Sequence, residues 1–324
     1  MNKRGFLSAL ALTLGLTGAA IAQTSYPTKP IRMIVPYAAG GGLDALTRVV
    51  AQGMSETLGQ SIVIENKVGA GGMIGAEFVA RAPSDGYTVL MAGNPELVIT
   101  PSLLNSSRYN VSRDFVPIML VAESPNIIAA HPSLKASLRD IVQNIPRGDG
   151  ALTIGSPGQG SPQHMTIEVL KSMGKAEWVH VPYKGAGPAI VDVLGGQTQL
   201  VLSGAPPLLQ HIRSGKLKAL AVTQPRRSAL LPDIPTVAEV TGLTGLETYS
   251  TWYGLLAPTG TPPAIVEALH KAIAGVLARP DVRQRLQEMG TEVIGLSNPG
   301  FSDRIQAETR RYHDIIRRFN IQAN

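Results

Sequence analysis

The sequence predicts an α/β protein built of two similar lobes, each a mainly parallel sheet flanked by helices. Its 324 residues are the length expected for two domains of ordinary size. Short strand-like runs alternate with glycine-rich loops and helical patterns along most of the chain, an order typical of right-handed βαβ crossovers. Hydrophobic residues make up 44% of the sequence, which is enough to bury a sizeable core and argues against a disordered chain.

The first 22 residues have the features of a secretory signal peptide. Lys3 and Arg4 precede an uncharged stretch whose apolar centre, Phe6–Leu16, is shorter than the roughly 20 residues that span a bilayer. Ala20-Ile21-Ala22 matches a small-x-small cleavage site, so we predict cleavage after Ala22 and a periplasmic location. Cleavage would leave 302 residues and lower the formal net charge from +6 to +4, a mild bias that suits a small anion.

The first half of the chain contains strand–loop–helix–strand units. Apolar residues recur at helical spacing from Leu46 to Leu58, and a second, short helix is predicted to end near Arg81. The predicted strands are Ile31–Val35, Ile62–Ile64 and Tyr87–Ala92.

A second set of elements follows Pro125. The predicted strands are Asn126–Ala130, Leu152–Ile154, Trp178–Val181, Leu200–Leu202 and Leu217–Thr223. The predicted helices are Ser137–Ile145, one that starts at Ser161, one around Ile190–Leu194, Pro263–Ala278 and Phe301–Phe319. Glu247–Leu256 is predicted as a strand that returns to the first half. We therefore assign lobe 1 to residues 23–124 plus 225–324 and an inserted lobe 2 to residues 125–224.

Composition narrows the classes of function. The absence of cysteine excludes disulfides, thiolate metal sites and a cysteine nucleophile. Aromatic residues are only 5% and the charge is low, so we expect no nucleic-acid partner. The six histidines lack zinc-ligand spacing, and neither a nucleophile elbow nor a P-loop motif occurs. We expect a protein that is not an enzyme and carries no metal or cofactor.

Four loops join the carboxyl end of a predicted strand to the amino end of a helix, where free N–H groups and the helix dipole favour an anion. They are Pro36–Asp44, Gly93–Pro95, Gly155–Ser161 and Pro182–Pro188. In the first loop the glycines allow close backbone approach, and Asp44 is placed to cap the helix. Asn94 lies in the short turn, which is either a plain turn or a ligand contact, and we include it among the candidate ligand-binding residues. Ser161 followed by Pro162 fits a helix start, which places His164 in the first helical turn as either a ligand contact or a packing residue.

A dinucleotide-binding enzyme is the competing interpretation. Gly40–Ala45 satisfies G-x-G-x-x-A after a strand, and Glu65 follows Ala45 by 20 residues, as in a dinucleotide fingerprint. Against it, an exported protein meets no free NAD pool, Asp44 would place a carboxylate beside the pyrophosphate, and no hydride-transfer site is evident.

Taken together, the loop motifs resemble a known family, the periplasmic solute-binding proteins of tripartite tricarboxylate transporters, also called TctC-type or Bug proteins. The resemblance covers nearly the whole chain after the leader, and it depends on the order of blocks that are individually weak. The blocks are Tyr26-Pro27-x-Lys29-Pro30-Ile31, Pro36-Tyr37-x-x-Gly40-Gly41-x-x-Asp44, Asn66-Lys67-x-Gly69-Ala70-Gly71-Gly72, Asp85-Gly86-Tyr87-Thr88, Gly155-Ser156-x-Gly158-x-Gly160-Ser161-x-x-His164, Val181-Pro182-Tyr183-Lys184-Gly185, Leu194-Gly195-Gly196-Gln197 and Leu231-Pro232-Asp233-Ile234-Pro235-Thr236-Val237-Ala238-Glu239.

This resemblance implies a two-lobed periplasmic binding protein of the Venus-flytrap type, type II-like, that captures a small organic anion such as a carboxylate for membrane transporter subunits. The family's binding roles carry over to Tyr37, Ala39, Gly40, Gly41, Ser156, Gly160, Ser161, Tyr183, Lys184 and Gly185, partly through ordered waters. We expect a monomer. A ligand sensor for a membrane receptor is the alternative, because it would use the same closure. The Ser203-Gly204-Ala205 position departs from many relatives, which carry an acidic or amide group there. The loops also lack an arginine, so backbone amides are expected to bind the carboxylate.

Overall fold

The computed structural model describes residues 26–104, 108–143, 151–174, 178–244 and 250–321. The predicted signal peptide, residues 1–22, lies outside the described residues, as do the first three residues of the predicted strand Glu247–Leu256 and the last two of the predicted helix Ser137–Ile145. Among the described residues, no helix has both the length and the apolar character needed to cross a membrane.

Strands and helices alternate through the described chain. The strands are β1 (Ile31–Val35), β2 (Ile62–Asn66), β3 (Thr88–Gly93), β4 (Phe115–Ser124), β5 (Asn126–Ala130), β6 (Thr153–Ser156), β7 (Val179–Pro182), β8 (Leu200–Gly204), β9 (Lys218–Val222), β10 (Thr251–Pro258) and β11 (Glu292–Ser297). The helices are α1 (Gly42–Leu58), α2 (Met73–Ala80), α3 (Thr100–Leu103), α4 (Val111–Asp114), α5 (Leu138–Gln143), α6 (Pro162–Gly174), α7 (Ala186–Leu194), α8 (Ala205–Arg213), α9 (Val237–Thr241), α10 (Pro263–Ala278), α11 (Pro280–Glu288) and α12 (Gly300–Arg318). Short 3-10 and π-helical turns cover Ala70–Gly72 and Pro95–Ile99.

The strands form two sheets, one in each lobe. The first has six strands in the order β11-β4-β10-β3-β1-β2, and the second has five in the order β7-β6-β8-β5-β9. In the first sheet β1 pairs in parallel with β2 and β3. In the second β6 pairs in parallel with β7 and β8. The two-lobed α/β architecture is confirmed.

Both sheets are mixed, however, where the sequence predicted mainly parallel pairing. β10 pairs antiparallel with β3 and β4, and β5 pairs antiparallel with β8 and β9. The reason is the path of the chain between the sheets. β5 follows β4 of the first sheet after Pro125 alone, and β10 follows β9 of the second sheet, so neither β5 nor β10 is reached by a helical crossover from a strand of its own sheet. The division of the chain at 124/125 and 224/225 stays a prediction.

Most predicted elements are found, and β1, β5 and α10 have the predicted bounds. Sequence analysis missed β4, α8, α11 and β11, together with the short helices α3, α4 and α9. β4 is largely buried and therefore shows no polar alternation, and it contains Pro117. α11 buries only Val282 and Leu286, too few for a clear helical period. β11 is interrupted by a register shift between Val293 and Leu296.

Trp252 of β10 is the largest fully buried side chain among the described residues. Its ring meets Phe301 of α12 edge-on, with centroids 5.3 Å apart and an interplanar angle of 87°. Gly254, two residues along β10, lies on the same face, where a Cβ atom would lie 2.3 Å from the Phe301 ring. Glycine at this position therefore allows α12 to pack directly on the sheet.

A polar network connects the segments that pass between the two sheets, and we call it the crossing network. The Arg304 guanidinium of α12 donates to Glu123 Oε2 at 3.0 Å and to Ser250 Oγ at 3.1 Å. Gln224 donates to the other oxygen of Glu123 at 3.3 Å. Arg304 also pairs with Glu308 at 2.9 Å, and Glu308 accepts the Trp252 indole N–H at 2.7 Å. One arginine thus ties together parts of the chain at 123, 224 and 250.

Candidate ligand-binding site

The first glycine loop connects β1 to α1, and residues 38–42 are exposed. Gly40 has φ of +81°, a left-handed conformation that favours glycine. Gly41 is the N-cap of α1, and no side chain caps the helix. The first intrahelical bond runs from Ala45 N to Gly41 O at 2.9 Å, so the N–H groups of residues 42–44 precede it. This end of α1 offers an anion backbone donors and the positive end of a helix dipole.

Asp44 fixes the shape of this loop. Its carboxylate is 1% exposed. It accepts the Gly40 N–H at 2.9 Å, an Asn66 amide N–H at 2.9 Å and the Arg48 Nε–H at 2.8 Å. Burial acts to raise its pKa, but these hydrogen bonds outweigh burial and hold the pKa of Asp44 below its ordinary value. The sequence predicted Asp44 as the helix cap. It lies instead in the first turn and turns back onto the loop, so the Gly40 amide is already in use.

The dinucleotide interpretation needs Glu65 to bind a ribose hydroxyl, but this carboxylate already has a partner. Glu65 forms a two-point ion pair with Arg32, at 2.6 and 2.8 Å. The Arg32 pairing also lowers the pKa of Glu65 below its ordinary value. A ribose hydroxyl would have to compete with this guanidinium for the Glu65 oxygens.

Tyr37 opens the loop and reaches a buried acid that sequence analysis missed. The Tyr37 hydroxyl donates to Glu96 Oε2 at 2.7 Å, and the Gly93 N–H donates to Glu96 Oε1 at 2.6 Å. Glu96 is 0% exposed, and burial raises the pKa of its carboxyl to about 7. The available signal in the sequence was a single acid at the start of an apolar run, directly after the Gly93–Pro95 turn.

Asn94, which was predicted as a contact, is also fully buried. Its amide N–H donates to the Ser250 carbonyl at 2.9 Å, and its side-chain oxygen has no hydrogen-bond partner among the described residues. Asn94 therefore lies beneath the loop surface, between β3 and the start of β10.

In the second lobe, the loop after β6 is held by its own side chains. Ser161 caps α6, because its hydroxyl accepts the His164 N–H at 3.1 Å and donates to Gly158 O at 2.7 Å. His164 is buried and its Nδ1 accepts the Gly160 N–H at 3.1 Å. Ser156 is buried as well and pairs with His180 Nε2 at 2.7 Å. His164 and Ser156 thus support the loop from within.

The Tyr183–Gly185 loop follows β7 and is tied to the loop after β6. Tyr183 N donates to Ser156 O at 3.0 Å, and Gly185 N donates to Pro157 O at 2.8 Å. The Tyr183 hydroxyl donates to Asp192 at 2.6 Å, and burial together with this carboxylate raises its pKa to about 12. Lys184 is exposed. Parallel pairing of β6 with β7 is what brings these two predicted loops together.

The predicted residues therefore form two groups, one in each lobe. Tyr37, Ala39, Gly40 and Gly41 lie at the end of β1, with Asn94 beneath them at the end of β3. Ser156, Gly160, Ser161, His164, Tyr183, Lys184 and Gly185 lie at the ends of β6 and β7. The lobes approach each other at Gly160, where a Cβ atom would lie 3.1 Å from Leu103 of α3.

Folding also brings His180 to His164 and Glu168, which lie four residues apart on α6, so that three potential metal ligands meet. His164, Glu168 and His180 offer ligand atoms within 4.8 Å of one another. The rings of His164 and His180 are stacked, with centroids 4.5 Å apart and an angle of 14° between their planes. A metal ion shared by two imidazoles must lie near the plane of each ring, and stacked rings do not allow this. Glu168 is paired with Lys171 at 3.1 Å, and both histidines bond the loop. This cluster supports the loop and is poorly arranged to hold a metal.

The stacked pair His164 and His180 predicts that the protein is less stable in acid. Burial, with the neighbouring His164 and Lys171, lowers the pKa of His180 to about 4. The unfolded chain then binds more protons than the folded chain between the two pKa values, so stability falls as pH drops below about 6.5. We expect wild-type protein to lose about 1 kcal/mol between pH 7 and pH 5 through this residue, after allowing for solvent screening.

Urea unfolding followed by tryptophan fluorescence at both pH values measures this loss. His180→Gln should remove most of that pH dependence, whereas His313→Gln, at an exposed position of α12, should leave it unchanged. Equal pH dependence in wild type and His180→Gln would contradict the assignment.

Two α/β lobes, each with strand-to-helix loops, are the architecture of a solute-binding protein. A family model described as "Tripartite tricarboxylate transporter family receptor" (TctC) matches residues 46–321. The chain therefore belongs to the TctC family of periplasmic solute-binding proteins, and the resemblance seen in the loop motifs is confirmed. The proteins of this family are solute receptors of the periplasm and serve membrane transporters.

Individual relatives agree over almost their whole length. BugT of Bordetella pertussis is 34% identical, with 98% of this chain and 98% of that protein covered. The structure of R. palustris Rpa4515 with adipate has a TM-score of 0.80 at 32% identity and covers 92% of this chain and 99% of that one. MatC (Rpa3494) from Rhodopseudomonas palustris with bound malate has a TM-score of 0.73 at 30% identity, covering 90% and 100%.

Proposed function

We propose that this protein binds a small organic acid through a carboxylate at the amino end of α1 and presents it to the membrane subunits of a tripartite tricarboxylate-type transporter. The observation that carries the proposal is the exposed loop at 38–42, which leads into a helix whose N-cap, Gly41, offers no side-chain oxygen to the free N–H groups. An anion supplies the acceptor that the helix lacks.

The two groups of loops favour a ligand with polar groups at both ends. One carboxylate would meet the N–H groups at Gly42 and Leu43 in lobe 1, with Gly40 and Gly41 shaping the approach. The opposite end of the ligand would meet Gly160 and Ser161 in lobe 2, beside the Tyr183–Gly185 loop. Closure of the lobes would exclude water and strengthen these hydrogen bonds.

Malate and adipate are the first ligands to test, because MatC was solved with malate and Rpa4515 with adipate. Both are dicarboxylic acids. We further propose that the mature protein begins after cleavage behind Ala22, acts as a monomer and catalyses no reaction of its own.

The test has two parts. Ligand released from purified protein under denaturing conditions is identified by mass spectrometry, and thermal unfolding is then measured with malate, adipate and related acids. A ligand present at a hundred times its Kd should stabilise the fold by about 2.7 kcal/mol. If no organic acid co-purifies and none raises the melting temperature, the proposed function is wrong.

A further inference from the structure

Glu96 contacts the side chain of Tyr37, the residue at the start of the loop that carries the proposed carboxylate site, yet binding through backbone amides makes no use of it. It belongs to the turn Pro95–Ile99 that follows β3, and β3 is the neighbour of β1 in the sheet. Its two carboxylate oxygens accept from different donors: Oε2 from the Tyr37 hydroxyl at 2.7 Å, and Oε1 from the Gly93 N–H at 2.6 Å. The Ala70–Gly72 turn covers it, since a Cβ atom at Gly72 would lie 3.1 Å from Glu96 Oε2.

The surroundings accommodate the Glu96 carboxyl with and without a proton. When ionised, it accepts from Tyr37 and from Gly93. When protonated on Oε2, it can donate to the Tyr37 oxygen, and the Tyr37 hydroxyl can turn to the Gly71 carbonyl, 3.5 Å away. The exchange leaves no buried donor without an acceptor, so neither state carries the cost of an unsatisfied polar group.

The residues around Glu96 provide little compensation for a negative charge. Among the described residues, no lysine, arginine or histidine forms an ion pair with it. The titratable groups that interact with its charge are Tyr37, Tyr109 and Tyr253. The helices packed on its turn add Glu77 of α2 and, among the charged residues of α12, Arg304 and Glu308, which contact the first sheet or the segment before β10. The phenols are neutral, Glu77 pairs with Arg81 at 2.7 Å, and Arg304 pairs with Glu308 at 2.9 Å. Glu96 therefore has no paired cation of its own to offset a further negative charge brought to the loop, since the loop's cation, Arg48, is paired with Asp44.

We propose that Glu96 couples ligand binding to proton uptake: the anion binds at the loop above Tyr37, and the Glu96 carboxyl takes up a proton. This inference rests on the proposed function. An ionised Glu96 and a bound carboxylate would repel each other across a buried region, where Coulomb interactions are stronger than in water. A proton on Glu96 removes that repulsion, so the bound state holds the proton more tightly than the free state.

The expected pH dependence follows from linkage. The Glu96 carboxyl of the free protein has a pKa of about 7, raised by burial, and ligand binding raises this pKa further. Affinity is therefore fully developed below pH 7 and falls as the pH rises through that value. Between pH 6.5 and pH 8.5 we expect Kd to rise about tenfold. In this range the carboxyl groups of the ligand stay ionised, because their pKa values lie near those of free carboxylic acids.

Isothermal titration calorimetry of the full-length mature protein with malate and with adipate tests the proposal. Titrations at pH 7 in two buffers of different ionisation enthalpy should show uptake of about half a proton per site in wild type. Glu96→Gln keeps a neutral side chain that can still donate to Tyr37. It should bind at pH 6.5 as tightly as wild type or more tightly, with no pH dependence and no proton uptake. Glu65→Gln, which removes a lobe 1 carboxylate that is hydrogen-bonded to Arg32, should behave as wild type.

The outcomes separate the two claims. If wild type binds an acid with the same Kd at both pH values and takes up no proton, the role of Glu96 is wrong and the proposed function stands. If Glu96→Gln keeps the wild-type pH dependence, another group carries the proton, which also overturns the role of Glu96. If neither acid binds wild type at either pH, the proposed function fails, and the inference that rests on it fails too. The wild-type titrations measure proton uptake on their own, so this part of the test holds even if Glu96→Gln does not fold.

Discussion

Replacing Gly41 with valine is expected to weaken binding of malate or adipate at least a hundredfold, about 2.7 kcal/mol, while the fold stays intact. Gly41 has φ of −72° and ψ of 166°, an extended conformation that valine also adopts. A Cβ atom there would meet only the Ala38 carbonyl oxygen of the same loop, at 3.3 Å. The isopropyl group would occupy the exposed space at the amino end of α1, where we place the carboxylate.

Calorimetry measures the loss of affinity, and circular dichroism with thermal unfolding checks the fold. Gly275→Val is the matched control, because nothing lies within 4 Å of a Cβ atom at this position in α10, away from both groups of loops. Gly275→Val should bind as wild type. Normal affinity in Gly41→Val would show that the ligand carboxylate does not bind at the amino end of α1, which would contradict the proposed site.

Replacing Arg304 with methionine is expected to lower the free energy of unfolding by about 3–5 kcal/mol. Arg304 serves two carboxylates at once, Glu123 at 3.0 Å and Glu308 at 2.9 Å, with side chains 14% and 4% exposed. Although burial acts against its charge, the two carboxylates keep the pKa of Arg304 above its ordinary value. Methionine fills similar space but leaves both acids without a cation, and desolvation of an unpaired carboxylate is the main cost.

Urea unfolding at pH 7 provides the measurement. Neutralising the two acids in the same chain, with Glu123→Gln and Glu308→Gln added to Arg304→Met, should recover at least half of the loss, because no unpaired charge remains. Arg279→Met is the matched control. Arg279 also bridges two acids, Glu56 and Asp281, but on the surface, where such pairs contribute little. A loss in Arg304→Met no larger than in Arg279→Met would show that the crossing network does not stabilise the fold.

The position of the crossing network suggests how this stability is distributed between the lobes. The residues it joins, at 123, 224 and 250, lie where the chain passes between the two sheets. Because Arg304 holds Glu123 and Ser250 directly and Gln224 through Glu123, its removal weakens both crossings together, so we expect the stability of both lobes to fall in a single transition.

Local patterns predicted much of the fold. β1 and α10 have the predicted bounds because apolar period and proline boundaries depend on neighbours a few residues away. Ser161 caps α6 as its position before Pro162 indicated. The same patterns could not give β4 or the antiparallel pairings of β10, since a strand buried on both faces has no alternation to detect and its partners are distant in sequence.

The sequence by itself determined the two-lobed α/β architecture, the family and the four loops, because glycine clusters, helix starts and ordered blocks are local features. Only the tertiary structure decided what lies beneath those loops. It turned Asp44 from a helix cap into the support of Gly40, buried Asn94, and joined Ser156 to His180 across 24 residues. It also placed Glu96 under Tyr37, 59 residues earlier in the chain. The physical reason is that the proton affinity and hydrogen bonds of a buried polar group depend on neighbours that meet only when the sheets form.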